Sequence, residues 1–219
     1  MKITFPDGSQ REYRDGMTGL EIAGEISSRL KKATLSCDID GAHSDAFRPI
    51  TGDHAVRFYT FEDENGRWAY RHTASHVLAQ AVKRLYPDVK LAIGPAIENG
   101  FYYDFDAPEP FTPEDLAKIE AAMEHIQKDD LPLERFELPR REAIEFMEQR
   151  GEPYKVELIR DLPEDAVISF YRQGDFVDLC AGPHVRSTGV VKNIKLLNVA
   201  GAYWRGSEKN KMLQRIYGT

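Results

Sequence analysis

The chain has 219 residues, of which 42% are hydrophobic and 30% are charged. This balance is that of an ordinary folded protein and excludes a disordered tail or a fibrous repeat. The formal net charge of −7 argues against indiscriminate binding to nucleic acid. Residues 186–219, however, carry seven basic side chains and one acidic side chain. A local contact with phosphate groups is therefore one interpretation of this end, and a solvated basic tail is the other.

No apolar run approaches the roughly 20 residues that span a bilayer, and the first residues lack the apolar core of a signal peptide. The two cysteines, Cys37 and Cys180, are too few for a disulfide framework. We therefore expect a cytoplasmic protein with reduced thiols and no membrane partner.

Residues 1–61 predict a small β-grasp (ubiquitin-like) domain. Thr18 and Glu21 form a capping-box pattern that marks the start of its helix. The polar, turn-rich segment 62–67 marks the expected boundary with a second domain, residues 62–219. The predicted elements of the first domain are strands at 2–5 and 10–13, a helix that follows Thr18, and strands at 33–38 and 55–59.

The second domain alternates helices and strands, which is typical of an α+β fold with a mostly antiparallel sheet. Thr112 as N-cap and Pro113 at the first helical position predict one helix start. The turn at residues 173–175 predicts a hairpin. The predicted helices lie at 68–86, from 112 onward and at 141–150. A strand-turn-strand region is predicted at 91–105, and further strands are predicted at 154–159, 166–172, 176–179 and 194–200.

The helix at 68–86 carries the first candidate functional pair, His72 and His76. At 100° per residue its apolar residues cluster on one face, and the two histidines fall on the opposite side, about 40° apart. Residues four apart on a helix are neighbours, so the two imidazoles point together. A pair of metal ligands or an acid–base pair facing a cleft is one interpretation, and two surface histidines is the other.

The second candidate group lies between Asp178 and His184. Strand alternation places Asp178 and Cys180 on one face, and Gly182–Pro183 ends the strand so that His184 follows on a loop. An acid, a thiol and an imidazole within one short segment favour a chemical site over a structural cysteine beside a turn. Together with the two helical histidines, this segment offers four potential zinc ligands, so a metal site must be considered.

Two further residues stand in less specific surroundings. Tyr103 belongs to an aromatic strand, a pattern more typical of a sheet core than of base stacking. Lys155 stands at a predicted strand start, where a lone lysine is usually solvated. The sequence contains no Walker-type loop, dinucleotide fingerprint or nucleophile elbow, so we expect no ATP site in it. The remaining histidines and the other cysteine lack converging partners and are interpreted as structural: His43, His54, His125 and Cys37.

Three segments of the second domain resemble the amino-terminal half of bacterial threonyl-tRNA synthetases: residues 72–76, 94–104 and 178–184. The last residues, 201–219, resemble the stretch that leads into the catalytic core of that family. Residues 1–61 resemble its TGS domain. The resemblance spans nearly the whole chain and rests on several ordered motifs.

This resemblance implies that the aminoacylation core, with its zinc and its ATP and magnesium, lies beyond residue 219. It further implies that residues 62–219 form an editing domain, which hydrolyses serine wrongly attached to the threonine tRNA. Serine lacks one methyl group of threonine, and such a group changes binding by only about 1–3 kcal/mol. A second pocket that admits serine and excludes threonine supplies the missing accuracy.

By the same resemblance, His72 positions or deprotonates the hydrolytic water, assisted by Asp178. Lys155 matches a pocket residue of the family and orients the seryl hydroxyl or stabilises charge. Tyr103 lies in a matching motif and lines the pocket. The other members of the group hold the ribose, the ester and the water: His76, Cys180 and His184.

The histidine and cysteine pattern also resembles alanyl-tRNA editing domains, in which the four residues bind zinc. Threonyl editing domains work without zinc, and Asp178 and Lys155 favour that type, so we expect no metal or other cofactor in this chain. Two alternatives stay open: a zinc-dependent alanyl-type deacylase and a non-catalytic tRNA-binding scaffold. The implied partner is the threonine tRNA, especially its aminoacylated 3′ end. We expect a monomer, because the homodimer of the family forms through the core.

Overall fold

The computed structural model describes all 219 residues and confirms an α+β protein with mostly antiparallel sheets. Its residues group into two units. Unit 1 consists of residues 1–73 and 182–186, and unit 2 consists of residues 74–181 and 187–219. The domain boundary predicted between residues 61 and 62 stays a prediction, because this grouping follows packing rather than chain order.

Unit 1 contains the β-grasp arrangement. In its sheet, the strand order is β2-β1-β5-β3-β4, with β1 parallel to β5 and the other pairs antiparallel. The predicted capping box is present, since the Thr18 hydroxyl accepts from the Glu21 amide and the Glu21 carboxylate accepts from the Thr18 amide. The elements are β1 (Lys2–Thr4), β2 (Gln10–Glu12), α1 (Gly19–Ile26), α2 (Ser28–Ala33), β3 (Ser36–Ile39), β4 (Ala42–Ser44) and β5 (His54–Tyr59).

The next helix, α3 (Glu64–Leu85), is continuous and supplies residues to both units. Its buried apolar residues lie at helical spacing, as the sequence predicts: Ala74, Val77, Leu78, Ala81 and Val82. This packing holds the helix along most of its length, so the histidines on its other side are carried by a rigid support.

Unit 2 contains two antiparallel sheets, β11-β10-β9 and β12-β13-β8-β6, with β7 paired to β8. The predicted hairpin is present, with Gln173 opposite Phe176. The elements are β6 (Lys90–Leu91), β7 (Ala96–Ile97), β8 (Gly100–Asp106), α4 (Pro113–Asp129), β9 (Leu133–Glu137), α5 (Arg140–Gln149), α6 (Pro153–Asp161), β10 (Ser169–Gln173), β11 (Phe176–Leu179), β12 (Leu196–Tyr203) and β13 (Met212–Gly218).

The strand predicted at residues 154–159 is wrong, because this segment is helix α6. Pro153 occupies its first turn, where a proline costs no hydrogen bond. The buried residues are Lys155, Val156 and Ile159, a spacing of one and four that belongs to a helix rather than a strand. The segment is only nine residues long, so its periodicity was too short to separate the two patterns.

The basic end of the chain is largely neutralised by acidic side chains within unit 2. Four of its cations form ion pairs: Lys195 with Glu120, Arg205 with Glu157 and Asp161, Lys211 with Asp106, and Arg215 with Asp104. The excess of positive charge in residues 186–219 is therefore mostly matched by carboxylates from earlier elements. These residues do not form a free basic tail.

None of the helices is both long and apolar enough to span a bilayer.

The Cys37 thiol lies fully buried in the core of unit 1, among Ile3, Ile22 and Val56. Burial, together with the nearby Asp45 and Asp38 carboxylates, raises the pKa of this thiol to about 12. Because the thiolate is the reactive form, we predict that native Cys37 is alkylated at least about a thousandfold more slowly at pH 8 than an exposed cysteine.

Mass spectrometry after iodoacetamide treatment, with and without urea, measures this rate. Modification of Cys37 should appear only in urea. Its modification in the native protein at the rate of a model thiol would contradict a buried, protonated Cys37.

Candidate active site

Helix α3 places His72 and His76 one turn apart on the same side, as the sequence predicts. Both are buried, with only 8% of His72 and 2% of His76 exposed. The interpretation as two surface histidines is therefore wrong. Each imidazole belongs to a distinct set of contacts, one in unit 1 and one in unit 2.

In unit 1, His72 and His184 stack on each other, with ring centroids 4.2 Å apart and an interplanar angle of 21°. The Trp68 ring also packs against His72, with the two ring centroids 4.6 Å apart. His184 is itself fixed through its backbone, since its amide donates to the Asp45 carboxylate at 2.6 Å. The segment that contains His184 is thus anchored by buried polar groups of unit 1.

The hydrogen bonds of these two rings define their tautomers. His72 Nδ1 lies 3.2 Å from the carbonyl oxygen of Pro183, which can only accept, so Nδ1 carries the proton. Thr73 donates its hydroxyl proton to the Ala69 carbonyl, so His184 Nδ1, 2.9 Å from the same hydroxyl oxygen, must be the donor in that contact. Both rings therefore carry their lone pair on Nε2.

In unit 2, the centre of the site is the buried carboxylate of Asp178, on β11. Its Oδ1 atom lies 2.8 Å from Lys155 Nζ, and its Oδ2 atom accepts a hydrogen bond of 2.6 Å from the Tyr103 hydroxyl. His76 Nδ1 lies 3.7 Å from the same Oδ2. One carboxylate thus lies close to an ammonium, a phenol and an imidazole.

Electrostatics fix the charge states of this group. Burial pushes the pKa of Asp178 upward, but Lys155, His76 and the Tyr103 hydrogen bond outweigh it and hold the pKa below its ordinary value. Burial lowers the pKa of His76 to about 4, and it raises that of Tyr103 well above its ordinary value. At pH 7 the site therefore contains an ionised Asp178, a neutral His76 and a protonated Tyr103.

Lys155 departs from its prediction in two ways. It lies on helix α6 rather than at the start of a strand, and it is 3% exposed rather than solvated. Its ammonium lies over the Tyr103 ring, with Nζ 5.4 Å from the ring centroid. The helical conformation is what turns this lysine inward, toward the Asp178 carboxylate.

Tyr103 is held in place by the close approach of Gly94. A Cβ atom at residue 94 would lie 2.0 Å from Cδ2 of the Tyr103 ring, so no side chain fits there. The Gly94 carbonyl also accepts a hydrogen bond of 2.6 Å from the Ser75 hydroxyl on α3. This glycine therefore sets the distance between the aromatic strand β8 and the helix that carries the histidines.

Cys180 follows directly after β11, is half-buried and forms no disulfide. Its backbone is paired to Ser169 on β10, through its amide and its carbonyl oxygen. The backbone near His76 is held in a similar way, because Gln173 donates to the His76 carbonyl and to Gln80. These contacts orient the functional side chains through rigid elements.

Sequence analysis missed several of these supporting residues, namely Thr73, Asp45, Gly94 and Gln173. Thr73 lies next to His72 in the chain, and a hydroxyl beside a functional histidine is a signal that could have been used. Asp45 and Gln173 act on the histidines from distant positions in the chain, and no local pattern marks them.

Four residues have side chains suited to bind a metal ion: His72, His76, Cys180 and His184. The residue types fit zinc, which prefers imidazole nitrogen and thiolate sulfur. The tautomers of His72 and His184, which carry the lone pair on Nε2, also fit this role. If all four residues bound one tetrahedral zinc ion, however, no position would remain for a water molecule, as in structural rather than catalytic zinc sites.

The buried pair of Lys155 and Asp178 leads to a stability prediction. Replacing Lys155 with Met leaves the Asp178 charge buried without its cation and should cost about 3–5 kcal/mol of unfolding free energy. The double variant Lys155→Met/Asp178→Asn removes both charges and should recover part of this loss. Urea denaturation at pH 7 measures all three free energies.

The matched control is Lys118→Met, which breaks the exposed pair of Lys118 with Glu114, whose side chains are 59% and 80% exposed. This change should cost less than about 1 kcal/mol. Equal costs for the Lys155 and Lys118 substitutions would show that the Asp178 charge does not depend on Lys155.

Comparison with known proteins identifies two families along the chain. Residues 1–60 match the TGS domain, and residues 168–217 match the threonyl and alanyl tRNA synthetase second additional domain. The second match includes Asp178, Cys180 and His184, whereas the helical histidines and Lys155 precede it.

Over all 219 residues, the chain is 66% identical to a threonine--tRNA ligase of Acetivibrio thermocellus, 62% identical to one of Clostridium botulinum and 61% identical to one of Clostridium acetobutylicum. It spans 34% of the length of each of these relatives. These 219 residues are therefore similar over their whole length to the amino-terminal third of bacterial threonine--tRNA ligases, and they include regions that match a TGS domain and a synthetase second additional domain.

Proposed function

We propose that the chain hydrolyses the ester bond between serine and the 3′ end of the threonine tRNA. The observation that carries this proposal is the buried, ionised Asp178 with Lys155 and Tyr103, next to a helix that bears His72 and His76. Such a concentration of buried, perturbed groups is typical of a catalytic site. The similarity of the chain to bacterial threonine--tRNA ligases supports an aminoacyl-tRNA as the substrate.

His72 is the proposed base that positions or deprotonates the water. Its Nδ1 proton is donated to the Pro183 carbonyl, so Nε2 is the ring nitrogen that can accept a proton from water. The water oxygen then attacks the ester carbonyl, the ribose oxygen leaves with a proton, and free serine is released. The stacked His184 keeps the His72 ring in one orientation.

Asp178 and Lys155 are proposed to supply the fixed charges of the site. Because the pKa of Asp178 is held below its ordinary value, this carboxylate is a poor proton acceptor at neutral pH. It assists His72 by maintaining the local field and by keeping Lys155 inside. Lys155 then orients the seryl hydroxyl or stabilises the negative charge that develops on the ester oxygen.

The remaining residues are proposed to shape the pocket. Tyr103 lines it, while His76, Cys180 and His184 hold the ribose, the ester and the water. A rigid pocket of this kind can exclude threonine because its extra methyl group finds no room. Discrimination by exclusion requires little movement, which agrees with the close packing of Gly94 against Tyr103.

Two alternatives differ in chemistry. In the first, the chain is a zinc-dependent deacylase of the alanyl type, an alternative favoured by the four potential ligands. Zinc would lower the pKa of a bound water, and three of the four residues would then have to suffice as ligands. In the second, the chain is a tRNA-binding scaffold, and the buried polar groups only maintain its fold.

The domain division at residues 61 and 62, a monomeric state of this chain and a cytoplasmic location belong to the same proposal. No catalytic zinc, ATP or magnesium is assigned to these 219 residues. In the proposal, those cofactors belong to the aminoacylation core of the longer family members.

The test is deacylation of seryl-tRNA and threonyl-tRNA, both on the threonine tRNA, with and without a chelator. The wild-type chain should release serine and spare threonine, regardless of the chelator. His72→Ala should slow serine release about a hundredfold or more, because a general base is lost. His125→Ala, at an exposed histidine of α4, is the matched control and should keep the wild-type rate.

Serine release that stops with the chelator would establish the zinc alternative. Wild-type rates in His72→Ala would remove this residue from the mechanism. Binding of tRNA without hydrolysis of either ester would identify a scaffold.

A further inference from the structure

A pocket of about 840 Å³ opens on the surface of unit 1, and neither His72 nor His184 lines it. Four cationic side chains line it, Arg14, Lys31, Lys32 and Arg186, together with the carboxylates of Glu21 and Glu25. The lining therefore has an excess of two positive charges, within a chain whose net charge is −7. We refer to it as the basic pocket.

The cations of the basic pocket are not neutralised by the protein. None of the four forms an ion pair, and Nη1 of Arg186 is buried without a hydrogen-bond partner. The Glu21 carboxylate is already engaged in the capping box of α1. This contrasts with residues 195–215, where four cations are paired with acids. Nη1 of this half-buried arginine is thus a buried donor atom that lacks an acceptor, which is rare in folded proteins.

Gly24, inside helix α1, is also one of the residues that line the pocket. A glycine in a helix costs about 1 kcal/mol relative to alanine. Its φ is not positive, so the helix itself gives no reason for it. A Cβ atom at residue 24 would lie 3.1 Å from Cδ of Lys31. The absence of a side chain therefore lets the Lys31 stem lie along α1 and carry its ammonium to the pocket.

The helix dipole explains only part of this arrangement. Lys31 and Lys32 lie in the last turn of α2, where cations are favoured. Arg14 precedes α1, and Arg186 comes from the distant segment 182–186 of unit 1. Neither arginine gains from that dipole, so an anion bound from outside is the better explanation for bringing all four cations together.

We propose that the basic pocket binds backbone phosphate groups of RNA. Arginine and lysine side chains commonly contact such phosphates, without reading the base sequence. Arg186 has the planar guanidinium that holds two phosphate oxygens at once. The pocket is much wider than one phosphate ion and three of its cations are exposed, which fits consecutive phosphodiesters better than a free anion. This assignment rests on the proposed function for its choice of tRNA as the RNA.

The test is the binding of fluorescein-labelled, uncharged threonine tRNA to the full chain, followed by anisotropy between 50 and 200 mM NaCl. Neutralising Lys31 and Lys32 together, as Lys31→Gln/Lys32→Gln, should weaken binding roughly tenfold. It should also lower the slope of log affinity against log salt by about 1–2, because two phosphate contacts are lost. The control Lys118→Gln/Arg141→Gln removes the same charge from exposed sites of unit 2 and should leave the slope unchanged.

Two further variants test the geometry. Arg186→Gln should lower the salt slope by about 1. Gly24→Ala keeps every charge but displaces Lys31, so it should weaken tRNA binding severalfold while raising the melting temperature. Unchanged binding in Gly24→Ala and equal slopes for the two double variants would each overturn the proposal.

Two further measurements distinguish a failure of the phosphate site from a failure of the proposed function. Inorganic phosphate at matched ionic strength should not displace the tRNA, and displacement would assign the pocket to a free anion instead. Hydrolysis of the seryl ester of adenosine, which lacks an RNA backbone, should be equal in the wild type and in all pocket variants. If no ester is hydrolysed but the salt slope still depends on Lys31 and Lys32, the proposed function fails and the phosphate site stands.

Discussion

The buried charge of Asp178 is the constraint on which the site depends. A carboxylate that is 1% exposed is tolerated in a protein interior only with a cation and hydrogen-bond donors around it. Lys155 on α6, Tyr103 on β8 and His76 on α3 meet this requirement. Three separate elements of unit 2 are therefore fixed by one side chain, and the same contacts determine the charge state of each partner at neutral pH.

A second constraint is that the ring protons of the histidines are held on defined nitrogen atoms. In unit 1, a backbone carbonyl and a threonine hydroxyl that is already committed as a donor hold the protons of His72 and His184 on Nδ1. A neutral imidazole with its lone pair on Nε2 can accept a proton or bind a metal ion through that atom. In unit 2, the ion pair of Asp178 with Lys155 supplies fixed charges beside His76.

The parts of the site that could be predicted from sequence are those encoded by local spacing. His72 and His76 are placed by helical periodicity, and the segment from Asp178 to His184 is placed by a hairpin and a strand end. Lys155 is predicted to lie in a strand and to be solvated because α6 is short. Its partner Asp178, which holds the lysine inside, is distant in the chain. The basic end of the chain illustrates the same limit, since its charge is matched by acids that only the fold brings near.

In the proposed mechanism, the ionised Asp178 carboxylate is needed for ester hydrolysis. Asp178→Asn keeps the size of the side chain and removes its charge. The most direct measurement is the rate of serine release from seryl-tRNA by this variant, with tRNA binding measured in parallel. The rate should fall by about two orders of magnitude or more, while the affinity for tRNA should be retained. Wild-type hydrolysis by a folded Asp178→Asn protein would contradict this mechanism.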